Sequence, residues 1–323
     1  MSESLLSVCL ITYNHELYIR QAIESVLMQK VDFSWEFIIA DDYSTDGTRE
    51  IVFEYKKKYP QLIKLIPREK NVGAAKNWIE LITAAKSKYI AYFEGDDYWC
   101  DDNKLQKQVD FLEANPDYVI CFHRVYDLEG NNQLKLSDLN ISDREETYTM
   151  EDLARGNIIH SPSVVFRTGL YKEFPKWIYD SPAGDYPLHL LNAQYGKIKY
   201  FPKAMAVYRK NIGYWGSKKS IDMHISWYKT LNLLSNHFTE PKIWSRLTEQ
   251  KAACLIYIYK AGDTDFIEKN EYLIKIVMDI VTIKSPEDLS KISLKYLLKA
   301  LIIRLQAIII SKYNNLAKKH NPR

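Results

Sequence analysis

Short apolar runs alternate with stretches of helical periodicity along the first 122 residues of the chain. The apolar runs predict five buried strands, at 7–13, 35–40, 62–66, 89–93 and 118–122. The stretches between them predict four helices, at 17–28, 48–58, 74–85 and 104–114. Uninterrupted apolar strands that alternate with helices are typical of a parallel sheet covered on both faces. We therefore predict a doubly wound α/β fold with a mostly parallel sheet.

The pattern changes after residue 122. The polar stretch 127–150 predicts a loop or an insertion. Strands are predicted again at 163–166, 198–201 and 204–208, with a helix at 187–195, and from about residue 220 the pattern is helical to the end. We predict an α/β domain at 1–215, divided into halves 1–122 and 123–215, followed by a helical C-terminal region at 216–323.

The overall composition is that of an ordinary globular protein, with 46% hydrophobic and 26% charged residues. The four cysteines show no CxxC spacing, and residues 1–4 lack the basic start and apolar core of a signal peptide. No window reaches the roughly 18–20 uncharged apolar residues that a membrane-spanning helix needs. These features predict a cytoplasmic location.

Two pairs of aspartates follow predicted strands directly. Asp41 and Asp42 come after the strand at 35–40, and Asp96 and Asp97 follow the strand at 89–93. In an open parallel sheet, ligands bind at the carboxyl ends of the strands, so these four carboxylates are expected to converge. They would repel one another unless a positive group, such as a divalent ion that carries a phosphate, lay between them. The pairs therefore point to an enzyme for a nucleotide bound with Mg²⁺ or Mn²⁺.

The glycine-rich signatures of dinucleotide sites and P-loops are absent. Four other segments occur in order at strand ends, namely 12–14 (TYN), 41–48 (DDYSTDGT), 71–77 (NVGAAKN) and 94–97 (EGDD). This ordered set closely resembles the family 2 glycosyltransferases, whose GT-A fold is Rossmann-like and binds a nucleotide-sugar donor. The resemblance covers residues 7–122 closely and 161–208 more loosely. It makes 1–122 the nucleotide-sugar half and 123–215 the acceptor half.

The resemblance assigns the donor site. It implies that Asp97 holds Mn²⁺ or Mg²⁺ and that seven residues bind the nucleotide, namely Thr12, Tyr13, Asn14, Asp41, Asp42, Asn71 and Asp96. Structural alternatives stay open, because Tyr13 could be a core residue at a strand end and Asp96–Asp97 an acidic pair at a helix start. Residues 46–48 are interpreted as turn and capping residues.

The resemblance also implies a catalytic base in the second half of the domain, at the start of a helix. Asp185 fits this position, with Asp180 in reserve, and Asp185 could also serve as an N-cap. His189, one turn later, is interpreted as structural. Arg209 and Lys210 are candidate phosphate contacts. The family commonly has a histidine where this chain has Asn211, which leaves the role of that position open.

The C-terminal 35 residues hold eight lysines and arginines and no acidic residue. Leucines and isoleucines recur there at helical spacing, so 294–319 predicts an amphipathic helix. Such a helix could lie on a membrane surface, and it could equally pack in a core or a homo-oligomer interface. Because the basic residues are interleaved with apolar ones, no nucleic-acid binding is expected.

Together these features predict an inverting hexosyltransferase-type enzyme of polysaccharide biosynthesis. It would move a single sugar from a nucleotide diphosphate sugar, with uracil as the default base, to the hydroxyl of a glycan or lipid-linked acceptor. Peripheral attachment to the cytoplasmic face of the membrane would suit such an acceptor. Two rivals remain at this point, a sugar nucleotidyltransferase and a non-catalytic partner in a polysaccharide assembly complex.

Overall fold

The computed structural model describes residues 4–66, 68–130, 133–139, 142–212 and 219–261. The chain divides into two compact units, before and after residue 217. The first unit contains a ten-stranded mixed sheet and its covering helices. The second contains helices α7 (Ser220–His237) and α8 (Pro241–Ala261), which pack against each other. The predicted helix at 294–319 lies outside the described residues.

The first half of the sheet is parallel. It comprises β1 (Leu6–Thr12), β2 (Trp35–Asp41), β3 (Ile63–Ile66) and β4 (Tyr89–Glu94), in the spatial order β3-β2-β1-β4. Helices α1 (Ile19–Leu27), α2 (Thr48–Lys58) and α3 (Ala74–Ala84) connect these strands. The register pairs Thr12 with Asp41 and Ile11 with Glu94, so the carboxyl ends of β1, β2 and β4 lie side by side.

The second half of the sheet mixes strand directions. The long strands β6 (Tyr118–Glu129) and β10 (Lys197–Arg209) are parallel to each other, and β9 (Val165–Arg167) joins β6 to β4 in antiparallel pairings. The short strands β5 (Tyr98–Trp99), β7 (Gln133–Leu136) and β8 (Glu146–Tyr148) are antiparallel to their neighbours. Helices α4 (Lys104–Ala114), α5 (Met150–Leu153) and α6 (Asp185–Ala193) complete the unit.

Helices cover both faces of the sheet. On one face, alternate residues of β1 and β4, such as Val8 and Ala91, enter a continuous core with α1, α2 and α4. On the other face, α3 packs on β1 and β2, and Trp78 of α3 meets Tyr92 of β4 edge to face. The predicted α/β fold is therefore confirmed, with a sheet that is mixed in its second half.

The segment 127–150 differs from the loop that its polarity predicted. β6 continues to Glu129, and β7 returns beside it with every residue exposed. The alternation of polar and apolar residues in Gln133–Leu136 was the available signal for β7, but this run has only four residues and lies within a polar stretch. The two strands predicted at 198–201 and 204–208 are likewise one strand, β10, with a register shift between Phe201 and Ala206.

No helix among the described residues is long and apolar enough to cross a membrane.

Candidate active site

The loops that follow β1 and β2 are held together by hydrogen bonds. The backbone N–H of Asp42 donates to the carbonyl oxygen of Thr12 at 2.9 Å. Asn14 donates from its N–H to Ser44 Oγ at 2.9 Å, and its Oδ1 accepts from the N–H of Thr45 at 2.8 Å. Asn14 has a φ of 55°, in the left-handed region that asparagine tolerates better than most residues. These bonds fix the floor of the predicted nucleotide site.

Tyr13 is not a core residue. Its side chain is 44% exposed at the carboxyl edge of the sheet, so the core alternative does not hold for this ring. Its neighbour Thr12 is buried, with Oγ1 at 3.2 Å from His15 Nδ1. An exposed ring at a strand end offers a surface on which a base could stack.

The two aspartates at the end of β2 have different partners. Asp41 accepts hydrogen bonds from the N–H and the hydroxyl of Ser44, and Arg49 lies 3.5 Å away. Burial raises the pKa of Asp41, and these partners oppose the rise. Asp41 therefore stabilises the turn that ends β2.

Asp42 organises the loop after β3. Its two carboxylate oxygens accept from the backbone N–H groups of Val72 at 2.8 Å and Gly73 at 3.0 Å. Asn71 donates from Nδ2 to the carbonyl oxygen of Asp42 at 3.0 Å. Asp42 and Asn71 thus bring segment 71–73 to the edge where β1 and β2 end.

Tyr43 carries a signal that sequence reasoning missed. It has a φ of 62°, which is unusual for a bulky residue, and its ring is exposed. The guanidinium of Arg49 lies 4.7 Å from the ring centroid. Unfavourable backbone conformations persist where the surrounding structure imposes them, often at binding sites. Its position directly after the aspartate pair was the available clue.

The end of β4 packs closely against the end of β1. A Cβ atom on Gly95 would lie 2.8 Å from Thr12 Oγ1 and 3.0 Å from His15 Nδ1. Only glycine allows this approach, which places Asp96 and Asp97 beside the β1 loop.

Asp96 and Asp97 are buried, and each has a carboxylate oxygen without a partner among the described residues. Asp97 Oδ1 accepts from the backbone N–H of Arg209 at 2.9 Å. Asp97 Oδ2 and Asp96 Oδ1 make no hydrogen bond to any described residue. Burial, followed by the nearby charge of Asp96, raises the pKa of Asp97 well above its usual value. Buried unpaired carboxylate oxygens are costly, so they indicate a missing positive or donor group.

These oxygens fit a divalent cation. Mg²⁺ and Mn²⁺ prefer oxygen ligands, and Mg²⁺ is commonly held by one or two carboxylates together with substrate phosphates. Among the residues that the structure describes, no three His, Cys, Asp or Glu side chains form a metal-binding group. A cation at Asp97 would thus need further ligands from a bound substrate.

Arg209 and Lys210 both have partners within the chain. The Arg209 guanidinium donates to the carbonyl oxygen of Asp96 and to Gln21, and it lies 4.8 and 4.9 Å from the ring centroids of Tyr18 and Tyr98. Lys210 Nζ lies 2.8 Å from Asp127 Oδ2 and 3.2 Å from Glu129 Oε1. Their contact with phosphate stays a prediction. The neighbouring Asn211 has a φ of 63°.

Asp185 is the first residue of α6, and it is not the N-cap. The cap position is Gly184, whose Cβ would lie 2.9 Å from the Trp78 ring, and no side chain caps this helix. The Asp185 carboxylate instead accepts a hydrogen bond from Asn157 Nδ2 at 3.0 Å. The capping alternative is therefore wrong, and the half-buried carboxylate of Asp185 contacts Asn157 in place of the backbone at the helix start.

Glu94 lies close to Asp185 and Asp96, although the sequence analysis gave it no role. Burial, followed by the charges of Asp96 and Asp185, raises the pKa of Glu94 to about 8. The Tyr92 hydroxyl donates to Glu94. Its place in the acidic segment 94–97 was the signal that could have identified it. Glu94 therefore interacts electrostatically with both the predicted metal residue, Asp97, and the predicted base, Asp185.

Two histidines near Asp185 are held neutral. Burial lowers the pKa of His160 and of His189 to about 4. The His160 ring lies 4.9 Å from the ring of Tyr208. Neither His189 ring nitrogen has a hydrogen-bond partner among the described residues, and the side chain is fully buried. His189 therefore has no open path to a substrate, in keeping with its interpretation as structural.

Comparison with known proteins identifies the family. The family model described as "Glycosyl transferase family 2" matches residues 7–174. The chain belongs to the family 2 glycosyltransferases. An uncharacterised protein of Mycobacterium tuberculosis is 39% identical to this glycosyltransferase over 214 residues, which is 66% of this chain and 61% of the relative. The chain thus aligns with about three fifths of the length of that relative.

Two further curated relatives carry functional names. The putative teichuronic acid biosynthesis glycosyltransferase TuaG of Bacillus subtilis is 41% identical over 33% of this chain and 42% of its own. The Escherichia coli glucosyltransferase WfgD is 32% identical over 42% of this chain and 50% of its own. WfgD is named as transferring glucose from UDP-Glc to a GlcNAc-diphosphoundecaprenol.

Solved structures share the fold. The Staphylococcus aureus protein TarS (residues 1–349, with UDP) superposes with a TM-score of 0.64 at 20% identity, covering 93% of this chain and 87% of TarS. The mannosyltransferase PcManGT of Pyrobaculum calidifontis, solved with GDP-Man and Mn²⁺, gives 0.51 at 17% identity and covers 94% and 88%. At these identities the likeness concerns the fold alone.

Proposed function

We propose that this chain is an inverting, metal-dependent glycosyltransferase of polysaccharide biosynthesis. It transfers a single sugar from a nucleotide diphosphate sugar, with a UDP-sugar as the first choice, to a hydroxyl of a glycan or lipid-linked acceptor. The observation that carries the proposal is the pair of buried carboxylate oxygens, Asp96 Oδ1 and Asp97 Oδ2, that lack partners among the described residues at the end of β4. Asp185 and Glu94 belong to the same group of interacting acids.

The nucleoside would lie across the carboxyl ends of β1, β2 and β4. The exposed Tyr13 ring offers a stacking surface for the base, and the Asp42 carboxylate is an acceptor for a base N–H. Asp96 would accept from the ribose hydroxyls. Thr12, Asn14, Asp41 and Asn71 support this surface through the hydrogen bonds between the strand-end loops.

Asp97 would hold Mn²⁺ or Mg²⁺, which when bound would neutralise negative charge on the diphosphate of the donor. Arg209 contributes by fixing the Asp97 carboxylate through its backbone N–H. The same residue donates from its guanidinium to the carbonyl oxygen of Asp96. These bonds hold the pair in place before the donor binds.

Asp185 would act as the base. Its carboxylate takes the proton of the acceptor hydroxyl while the hydroxyl oxygen bonds to the anomeric carbon of the sugar. The bond from that carbon to the diphosphate oxygen breaks, and the nucleoside diphosphate leaves with the electron pair. Attack on the face opposite the leaving group inverts the anomeric configuration.

The named relatives guide the choice of substrates. TarS was solved with UDP and with UDP-GlcNAc, WfgD is named for UDP-Glc and a diphosphoundecaprenol acceptor, and TuaG is named for teichuronic acid biosynthesis. We therefore place this protein on the cytoplasmic side of a membrane, where residues 294–319 would contact the lipid surface. We also propose that the protein associates with itself and that nucleic acid is not among its partners.

An assay of nucleoside diphosphate release from UDP-, TDP- and GDP-sugars tests the assignment of Asp185 as the catalytic base. Asp185→Asn should lower turnover at least ~100-fold while donor binding changes little, because a general base contributes about 10²–10⁴-fold. Asp180→Asn tests the reserve candidate, and because Asp180 is exposed, the assignment to Asp185 predicts that this variant keeps full turnover. Full turnover of Asp185→Asn would contradict the assignment.

A further inference from the structure

A short segment between α5 and the single helical turn Ser161–Ser163 contacts the proposed base directly. Asn157 lies in this segment, and its Nδ2 donates to Asp185 Oδ2 at 3.0 Å. We propose that Asn157 is the positioning residue that orients the Asp185 carboxylate for proton abstraction. The inference rests on the proposed function of Asp185 and adds a residue from outside the motifs of the donor site.

The orientation of the Asn157 amide is determined by its two partners. Its Oδ1 accepts from the backbone N–H of Ile159 at 3.2 Å, a local side-chain bond of the kind that asparagine makes in turns. The amide therefore presents its NH₂ group to Asp185 and cannot present its oxygen. The bond therefore holds the Asp185 carboxylate by Oδ2 and fixes its rotation about the bond to Cβ.

The segment that carries Asn157 is itself anchored. Thr149 and Asp152 form a capping box at the start of α5, and the N–H of Gly156 closes the helix end by donating to the carbonyl oxygen of Leu153 at 3.1 Å. Ile159 is buried beyond it. Asn157 is thus held from both sides, which is what a positioning residue needs.

A second bond ties the same two segments together without touching the carboxylate. The hydroxyl of Tyr186, the residue after Asp185, donates to the carbonyl oxygen of Leu153 at 3.0 Å. Tyr186 is fully buried. The two bonds allow the anchoring of α6 to be separated from the orientation of the base.

The bond from Asn157 leaves one oxygen of the Asp185 carboxylate available to take the proton of the acceptor hydroxyl. Asp185 Oδ1 makes no hydrogen bond to the described part of the chain, whereas Oδ2 is taken by Asn157. The titratable groups that interact electrostatically with Asp185 are Glu94, Tyr92, His160, His189 and Tyr208. None of these described groups makes a hydrogen bond to its carboxylate, so Asn157 is the described side chain that sets its orientation.

The test compares Asn157→Leu with Tyr186→Phe. Leucine keeps the branching of asparagine at Cγ and removes the donor, whereas phenylalanine removes the neighbouring tether and leaves the donor in place. Protein labelled with ¹³C at the aspartate carboxyl carbons is studied by NMR at one fixed pH, and the Asp185 resonance is assigned by its loss in Asp185→Asn. The kcat and KM with UDP-, TDP- and GDP-sugars, and the Tm, are measured on the same variants.

We expect Asn157→Leu to shift the carboxyl resonance of Asp185, because the substitution removes the hydrogen bond to Oδ2. It should also lower kcat about 10–100-fold with donor KM unchanged, as loss of a bond to a carboxylate implies. Tyr186→Phe should lower Tm and leave the Asp185 resonance and kcat unchanged.

An unmoved Asp185 resonance in folded Asn157→Leu would overturn the inference, as would an equal shift in Tyr186→Phe. Asn157→Asp gives an independent variant, because it removes the donor without adding bulk and should likewise shift the resonance and lower kcat with donor KM unchanged. Failure of the proposed function looks different, since wild-type protein would then turn over no sugar nucleotide while the Asp185 resonance still reported on the Asn157 bond.

Discussion

At the scale of single residues, the acids of this site differ in whether the fold already provides their partners. Asp41 and Asp42 accept several hydrogen bonds from the protein, and Asp101 is paired with Lys107 and Lys203. Asp96 and Asp97 each retain a buried oxygen without a partner in the described chain. A buried aspartate oxygen without a partner lowers the stability of the fold, and such residues are typical of ligand-binding sites.

This difference predicts opposite effects of the same substitution. Asp97→Asn should raise the free energy of unfolding of the ligand-free protein by about 1 kcal/mol or more, because folding of the wild type must either bury the Asp97 carboxylate in its ionised form or protonate it, and asparagine avoids that cost. Its Oδ1 can still accept from the Arg209 N–H. Sugar transfer should be abolished. Urea unfolding and a turnover assay measure the two effects.

Asp101→Asn is the matched control. Although burial opposes it, hydrogen bonds from Lys203 and Lys107 lower the pKa of Asp101, so its ionised form stabilises the fold. The substitution should destabilise the protein by about 1 kcal/mol, since both lysines are half exposed. A destabilised Asp97→Asn would contradict the view that Asp97 Oδ2 has no partner in the described chain.

At the scale of elements, the close approach of strand ends builds the site. Gly95 follows β4 and leaves no room for a Cβ between Thr12 Oγ1 and His15 Nδ1. Gly95→Ala should therefore push β4 away from β1 and cost about 2 kcal/mol of stability, together with a weaker affinity for nucleotide. Thermal unfolding and nucleotide titration measure these two quantities.

Gly130→Ala provides the comparison, because a Cβ at Gly130 would meet no atom within 4 Å. Its stability should stay within about 0.5 kcal/mol of wild type. Equal effects of the two substitutions would contradict crowding at Gly95, because the lower entropy of the unfolded alanine chain stabilises both variants alike.

The sequence predicted the strands whose apolar runs lie in the core and missed the short strands that have no such run. Strands β1, β2 and β4 are buried along most of their length, so their apolar runs were visible. β5 has two residues, which is too few for any pattern, and the alternating run of β7 has only four residues, all exposed, within a polar stretch. The site divides in the same way, since Asp42, Asp96 and Asp97 follow readable strands. Asn157 reaches Asp185 only through tertiary folding and left no signal in the sequence.

At the scale of the whole first unit, one buried lysine links stability to pH. Lys104, the first residue of α4, is fully buried, with Nζ 2.8 Å from Gln108 Oε1 and 4.3 Å from the Trp99 ring centroid. Burial lowers its pKa to about 7. The acceptor oxygen and the aromatic ring favour the charged form and limit this fall.

The sign of the pH dependence follows from the two pKa values. In the unfolded chain Lys104 titrates near ~10.4, so between about pH 7 and about pH 10 the unfolded state binds one more proton than the folded state. The contribution of Lys104 to stability should then rise with pH by roughly 1 kcal/mol per unit, and it should be constant below that window. Urea unfolding at a series of pH values measures this slope.

Lys104→Met should remove that rise from the pH profile. Lys57→Met, at an exposed position of α2, should leave the profile unchanged. Parallel profiles for wild type and Lys104→Met would contradict a strongly lowered pKa at this lysine.

We propose that the carboxyl edge of the sheet binds a nucleoside diphosphate through a metal at Asp97. Calorimetry of the protein against UDP, TDP and GDP, with and without Mn²⁺, tests this binding. Asp97→Asn is compared with Asp117→Asn, at an exposed aspartate paired with Lys197. We expect one nucleotide, UDP in the first instance, to bind only with Mn²⁺, and we expect Asp97→Asn to abolish this binding and Asp117→Asn to preserve it. Binding that depends on neither Mn²⁺ nor Asp97, or no binding of any of the three nucleotides, would show that Asp97 does not hold a metal for the nucleotide.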